Sequence, residues 1–227
     1  MDNEGILTSD APIPADQYSM SKQVDKSHYK FESYMGKSRW ASVWHQLDEV
    51  IKMEPERVLE IGPGPGIFKA AATALGINVE TLDIDPELAP DYVGSALQIP
   101  LPDASCDVVC AFQMLEHLPW EDGKQAFREM VRVADKGIVV SLPDAAVLWP
   151  NSIYIPKIGK FNFFIPRQSV RREVHEFDGE HYWEINKRGY PLKRILREFF
   201  EVSSISLLTT YRVHENPYHR FFVFAKY

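Results

Sequence analysis

Val58-Leu59-Glu60-Ile61-Gly62-Pro63-Gly64-Pro65-Gly66, read with Thr81-Leu82-Asp83-Ile84-Asp85, decides the fold of this chain. An apolar strand runs into a glycine-rich turn, a helix follows, and a second strand ends in acids. That order is the entry to a nucleotide-binding α/β domain. The glycines let the backbone pass close to a ligand. A turn that cradles a pyrophosphate needs backbone N–H donors, and Pro63 and Pro65 have none. The turn therefore points to an adenosyl ligand without phosphates.

Outward from this turn the chain alternates strand and helix. Strands are expected at Arg57 to Ile61, Asn78 to Leu82, Tyr92-Val93, Asp107 to Phe112 and Gly137 to Leu142. The fourth is apolar on both faces, as a central parallel strand should be. Helices are expected at Ile67 to Leu75, stopped by Gly76 as a left-handed cap, and at Glu121 to Ala134, with Phe127, Met130, Val131 and Ala134 in one stripe. Upstream, Ser38 to Met53 reads as a helix with Trp40, Val43, Trp44, Leu47 and Ile51 at helical spacing. Downstream, Pro191 starts a helix with Leu192, Ile195, Leu196 and Phe199 inward. Val202 to Leu208 and Phe221 to Ala225 should then pair antiparallel, because their connection is too short for a crossover helix. Residues 143 to 186 break the rhythm, being rich in aromatics, Pro and His with no sustained period, as in a lid or binding insertion. Residues 1–37 read as a flexible arm and lid, and 38–227 as one domain.

With 227 residues, 45% hydrophobic and 25% charged, the chain has the composition of a globular domain with a sizeable core. Its net charge of −7 disfavours a nucleic-acid surface, which needs clustered Lys and Arg. No apolar run approaches the ~18 residues of a membrane span, and the polar, acidic N-terminus lacks a signal pattern. Cys106 and Cys110 lie about 13 Å apart along one strand, too far for a disulfide, so two thiols in a reducing cytoplasm are expected.

Three blocks, VLEIGPGPG, GSALQIPLPDASCDVV and FQMLEHLPWEDGKQAFREMVRV, resemble the class I S-adenosylmethionine (SAM)-dependent methyltransferases, in the small-molecule subgroup related to ubiquinone-biosynthesis methyltransferases. The resemblance runs from about Arg57 to Pro143 and is weaker from Glu184 onward. It implies a Rossmann-like, doubly wound, seven-stranded and mostly parallel α/β sheet, with an antiparallel C-terminal strand and helices on both faces. It implies SAM as cofactor and a small-molecule acceptor as partner. Glu60 then places the methionine amino end, and Gly62, Pro63, Gly64 and Gly66 pass beneath the ligand. Asp83 accepts the ribose hydroxyls, with Ile84 beside it and Asp85 as a possible sharer. Family members often carry an acid where this chain has Ser95, so adenine contacts shift toward the backbone of Ala96 and Leu97. Gln113, Met114 and Leu115 align with the segment beside the sulfonium.

His117, in Glu116-His117 at the carboxyl end of the fourth strand, is a candidate general base or a histidine that caps the loop. In HEFDGEHYWEI, His181 or Glu184 is a candidate to orient or deprotonate the acceptor, against the reading of an ordinary polar loop. Metal ligands on one helix face would repeat at i and i+4. Gly179 interrupts the string, and His175 and His181 lack that spacing, so no metal is expected from it. Arg167, Arg171 and Arg172 read as a solvated face or as a site for an anionic acceptor. Tyr29, Phe31 and Tyr34 read as a lid over the cofactor, and Trp40 and Trp44 as core or lid packing.

The function implied is methyl transfer from SAM to an O or N atom of a sugar, lipid-linked intermediate or secondary metabolite, in a cytoplasmic monomer or homodimer. An NAD-dependent oxidoreductase would share the strand–turn–helix but expects G-x-G-x-x-G, where this chain has G-x-G-x-G with two prolines. A non-catalytic SAM-binding partner subunit is the other alternative.

Overall fold

The computed structural model describes residues 28–167 and 173–227. Most of the N-terminal arm, and Arg171 and Arg172, lie outside the described residues.

Seven strands form one sheet in the order β3-β2-β1-β4-β5-β9-β8. They are β1 (Arg57–Ile61), β2 (Asn78–Asp83), β3 (Tyr92–Val93), β4 (Cys106–Phe112), β5 (Ala134–Pro143), β8 (Ile205–Arg212) and β9 (His219–Lys226). The first five pair in parallel, while β9 runs antiparallel to both β5 and β8. The strand order reverses between β1 and β4, and open α/β sheets bind ligands at the carboxyl ends of strands at such a point.

Side chains alternate across each strand, so β1 sends Val58 to one face and Leu59 and Ile61 to the other. Helices α1 (Lys37–Ile51) and α2 (Ile67–Ala74) cover the first face, where Val50, Phe68 and Ala72 pack on Val58, Val108 and Val139. Helix α3 (Trp120–Val133) covers the second through Phe127 and Met130, joined by Trp183, Phe199 and Phe200. Cys106 and Cys110 are buried free thiols.

Three elements differ from the sequence reading. Helix α1 buries Val43, Gln46 and Val50, while Trp40 and Trp44 are more than half exposed. Its inner face is therefore rotated away from the tryptophans, and they are not core packing. The segment from Pro191 is a single α turn, Leu192–Arg194, that widens at Ile195–Phe199, so Ile195 and Phe199 are buried but Leu196 only partly. Residues 143 to 186 contain a separate hairpin, β6 (Leu148–Ile155) with β7 (Gly159–Pro166), which pairs only with itself.

The far end of that region is pinned to the main sheet. Ile185 N–H donates to Pro143 O (3.0 Å) and Ala145 N–H to Ile185 O (2.9 Å). Tyr182 N–H donates to Glu116 O (2.9 Å), and the fully buried Trp183 donates from Nε1 to Leu118 O (3.1 Å). These bonds lay His181 against the turn that follows β4.

Among the described residues, no helix is long and apolar enough to cross a membrane.

Candidate active site

The turn after β1 spends most of its own donors. Gly62 N–H donates to Leu82 O (2.9 Å) and Gly66 N–H to Pro63 O (3.0 Å), while Pro63 and Pro65 have none. Within the turn, Gly64 alone keeps a backbone N–H outside these bonds. Gly62 has φ +66°, and a Cβ there would sit 2.4 Å from Met114 Cγ. Glycine is thus required for the turn to lie against the segment after β4, where Gln113 holds φ +54° and donates its N–H to Ser141 O (2.9 Å).

Beyond the turn lies a cavity of about 730 Å³, within the range of about 300–1,000 Å³ typical of small-ligand sites. Glu60, Gly62, Pro63, Gly64, Asp83, Ile84, Ser95, Ala96, Gln113 and Met114 all line it, with Asp85. Leu115 and Leu97 do not. Leu115 is fully buried in the core, and Leu97 packs against that core with its N–H held by Ser95 Oγ (3.2 Å). Leu97 therefore has no backbone donor to offer adenine. Gly66 faces a smaller adjoining recess and serves to close the turn.

The electrostatics divide the cavity into two parts. In the first, Glu60 is 3% exposed, its Oε2 has no hydrogen-bond partner among the described residues, and burial raises its pKa to about 8 despite the nearby Lys69 charge. Asp83 is also raised, by burial and by the charge of Asp85, against backbone N–H groups that oppose the shift. Asp85 Oδ1 accepts from Glu87 N–H (3.0 Å) and caps the turn Pro86–Leu88.

Elsewhere the cavity is lined by His117, His181, Tyr218 and His219. The His117 and His181 rings are 4.9 Å apart between centroids. His117 contacts Glu180 O through Nδ1 (2.9 Å). A carbonyl only accepts, so Nδ1 carries the proton in this contact. Burial and the neighbouring His181 lower the His117 pKa to about 4, leaving the ring neutral near pH 7. His181 goes the other way. Burial opposes its charge, but the bond from Nδ1 to Glu184 Oε1 (3.0 Å) and the charge of Glu116 prevail and raise it. Tyr218 O–H also donates to Glu184 Oε1 (2.6 Å), holding that carboxylate in place.

Residues 59–141 match the family described as "Methyltransferase domain". That stretch of the chain carries a methyltransferase-type domain. A relative from Mycobacterium bovis, named an uncharacterised methyltransferase, is 30% identical over 107 residues, covering 41% of this chain and 41% of its own length. Another of that name from Mycobacteroides abscessus is 26% identical over 168 residues, covering 66% of this chain and 58% of its own. The chain thus spans 41% and 58% of these relatives' lengths, less than two thirds of either. A SAM-dependent methyltransferase structure from Mesorhizobium loti aligns with TM-score 0.53 at 16% identity, over 84% of this chain and 99% of its own. The Burkholderia thailandensis 1,6-didemethyltoxoflavin-N1-methyltransferase, solved with its acceptor and S-adenosylhomocysteine, aligns with TM-score 0.54 at 14% identity, over 88% and 86%. At these identities the structures speak for the fold.

The methyltransferase domain fits SAM on its own residues. The unpartnered, buried Glu60 oxygen is matched by the ammonium of the donor, and two acids beside a phosphate-poor turn suit a cationic adenosyl ligand. Tyr29 lies over the turn, with its ring 3.3 Å from where a Gly64 Cβ would stand. Tyr34 joins the cavity wall with Arg39 stacked 4.0 Å from its ring centre. Phe31 is 76% exposed and forms no lid. Arg167 is exposed at the end of β7 and does not line the cavity.

Several wall residues carried no sequence signal, namely Arg39, Tyr218 and His219. Each stands outside the recognisable blocks and is delivered by α1 or by the start of β9. Their only trace in the sequence is an arginine on an amphipathic helix and a Tyr-His pair opening a strand.

Proposed function

We propose that this domain transfers a methyl group from SAM to an oxygen or nitrogen atom of a small-molecule acceptor held between residues 177–182 and the facing turn after β4. The observation that carries the reading is one cavity lined both by the acids Glu60 and Asp83 and by His117, His181 and Tyr218. Bound SAM supplies a methyl group already activated on a sulfonium.

The chain's own residues have three tasks. Glu60 and Asp83 hold the amino and ribose ends at a fixed distance from the acceptor wall. Tyr29 and Tyr34 cover the cavity and exclude water, which strengthens every polar contact inside it. His117 and His181 align the acceptor heteroatom, and alignment alone accounts for much of the barrier lowering in such transfers. Where the acceptor must lose a proton, His181 Nε2 is the better acceptor of the two, because the Glu184 bond and the charge of Glu116 raise its basicity while burial depresses that of His117. The size of the cavity favours a compact acceptor such as a sugar or secondary metabolite over a macromolecule.

Calorimetry with SAM and with NAD, followed by S-adenosylhomocysteine release from pools of hydroxyl and amine acceptors, tests the reading. Saturable SAM binding and acceptor-dependent release are expected. NAD binding without SAM binding overturns it. SAM binding with no release from any pool favours a non-catalytic partner subunit.

A further inference from the structure

Glu116 is fully buried, and beyond its own backbone N–H its carboxylate has no hydrogen-bond partner among the described residues. Buried carboxyl groups are almost always hydrogen-bonded, paired or bound to metal, because desolvating one without compensation is costly. What faces it is specific. One Glu116 oxygen and one ring nitrogen each from His117 and His181 lie within 4.8 Å of one another. Both rings are held from behind, His117 through Nδ1 on Glu180 O (2.9 Å) and His181 through Nδ1 on Glu184 Oε1 (3.0 Å). Metal-bound histidines show this outer contact, which fixes the ring and directs the other nitrogen to the ion.

We propose that Glu116, His117 and His181 hold one divalent transition-metal ion at the acceptor end of the cavity. Two imidazoles and one carboxylate suit zinc, cobalt, iron(II) or manganese, whereas calcium and magnesium prefer oxygen alone. The i, i+4 spacing rule missed the set because its members come from two elements, the turn after β4 and the segment pinned by Tyr182 and Trp183. Asp178, His181 and Glu184 also cluster within 4.8 Å. There, however, Asp178 is exposed and accepts from the N–H groups of Glu180 and His181, and Glu184 accepts from His181 and Tyr218. That second set is satisfied by protein alone. Three ligands from one wall leave coordination positions open toward the cavity. On the acceptor reading above, an acceptor oxygen or nitrogen takes one of them, and His181 is then a ligand rather than a proton acceptor.

Titration of the chelator-stripped full chain with cobalt(II), read by visible absorption, tests the site without donor or acceptor. One saturable equivalent, displaced by zinc and accompanied by a rise in melting temperature, is expected. Glu116→Gln and His181→Ala should each weaken it at least about tenfold, and Asp178→Asn should leave it unchanged. His181 is only half-buried, so His181→Ala decides the matter if Glu116→Gln does not fold. No saturable cobalt binding, or binding that survives both variants, or binding lost in Asp178→Asn, overturns the proposal. SAM calorimetry on the same samples reports separately on the methyltransferase reading.

Discussion

Two aspartates stand side by side at the end of β2, and their surroundings give them different work. Asp85 spends its carboxylate capping the turn Pro86–Leu88. Asp83, raised in pKa by burial beside the cavity, gains most from a ligand that donates hydrogen bonds to it. Asp83→Ala is therefore expected to weaken SAM binding by roughly 1.5–3 kcal/mol in calorimetry, the scale of a hydrogen bond to a charged group. Asp85→Ala should instead cost about 1 kcal/mol of local stability through the lost cap, with a smaller change in affinity. Equal losses of affinity would mean that both acids hold the ribose. These acids were readable from sequence because a strand, its turn and its terminal acid are contiguous. His219 and Arg39 were not, since only tertiary packing brings β9 and α1 to the cavity.

At the scale of elements, the strands were legible because their apolar runs are short and bounded by turn residues, and the fold order follows from them. The failures fell where periodicity and packing part company. In α1 the tryptophans have the spacing of a core stripe, yet small and polar residues such as Ser42 and Gln46 occupy the buried face. In β6 and β7 aromatic and branched residues stand on both faces of an exposed hairpin, so no two-residue alternation marks it. The join between that hairpin and the sheet depends on Asp144, which is 1% exposed. Asp144 Oδ2 accepts from Arg220 Nε (2.7 Å), and Oδ1 accepts from Asn186 Nδ2 (2.8 Å) and pairs with Arg212 Nη1 (3.2 Å). Asp144→Ala leaves the nearly buried Arg212 without its countercharge, and such a break costs about 3–5 kcal/mol. Denaturant unfolding should show that loss. Trp149→Ser, on the exposed hairpin, should change stability by no more than about 0.5 kcal/mol.

For the molecule as a whole, a ligand site built from buried titratable groups makes stability depend on pH, and the sign follows from proton counts. Glu60 has its pKa raised to about 8 in the folded chain by burial, against about 4.3 unfolded. Between those values the native state binds the extra proton, so Glu60 lowers stability as pH rises. His219 is lowered to about 3 by burial and by the charge of Arg39, against about 6.5 unfolded. Between those values the unfolded state binds the extra proton, so His219 raises stability as pH rises. The two trends offset from roughly pH 4.5 to 6.5, and above that the Glu60 trend stands unopposed by His219. Glu116, which burial also raises to about 8, adds a trend of the same sign, so melting temperature should fall from pH 6.5 to 8 and Glu60→Gln should lessen the fall without abolishing it. In the proposed binding mode, SAM acts at the same atom. Its ammonium favours ionised Glu60, so binding below about pH 8 releases a proton, and the affinity tightens from pH 6 to 7.5. Calorimetry in buffers of different ionisation enthalpy should count that proton in the native chain and lose it in Glu60→Gln. An unchanged proton count in the variant would move the ammonium contact away from Glu60.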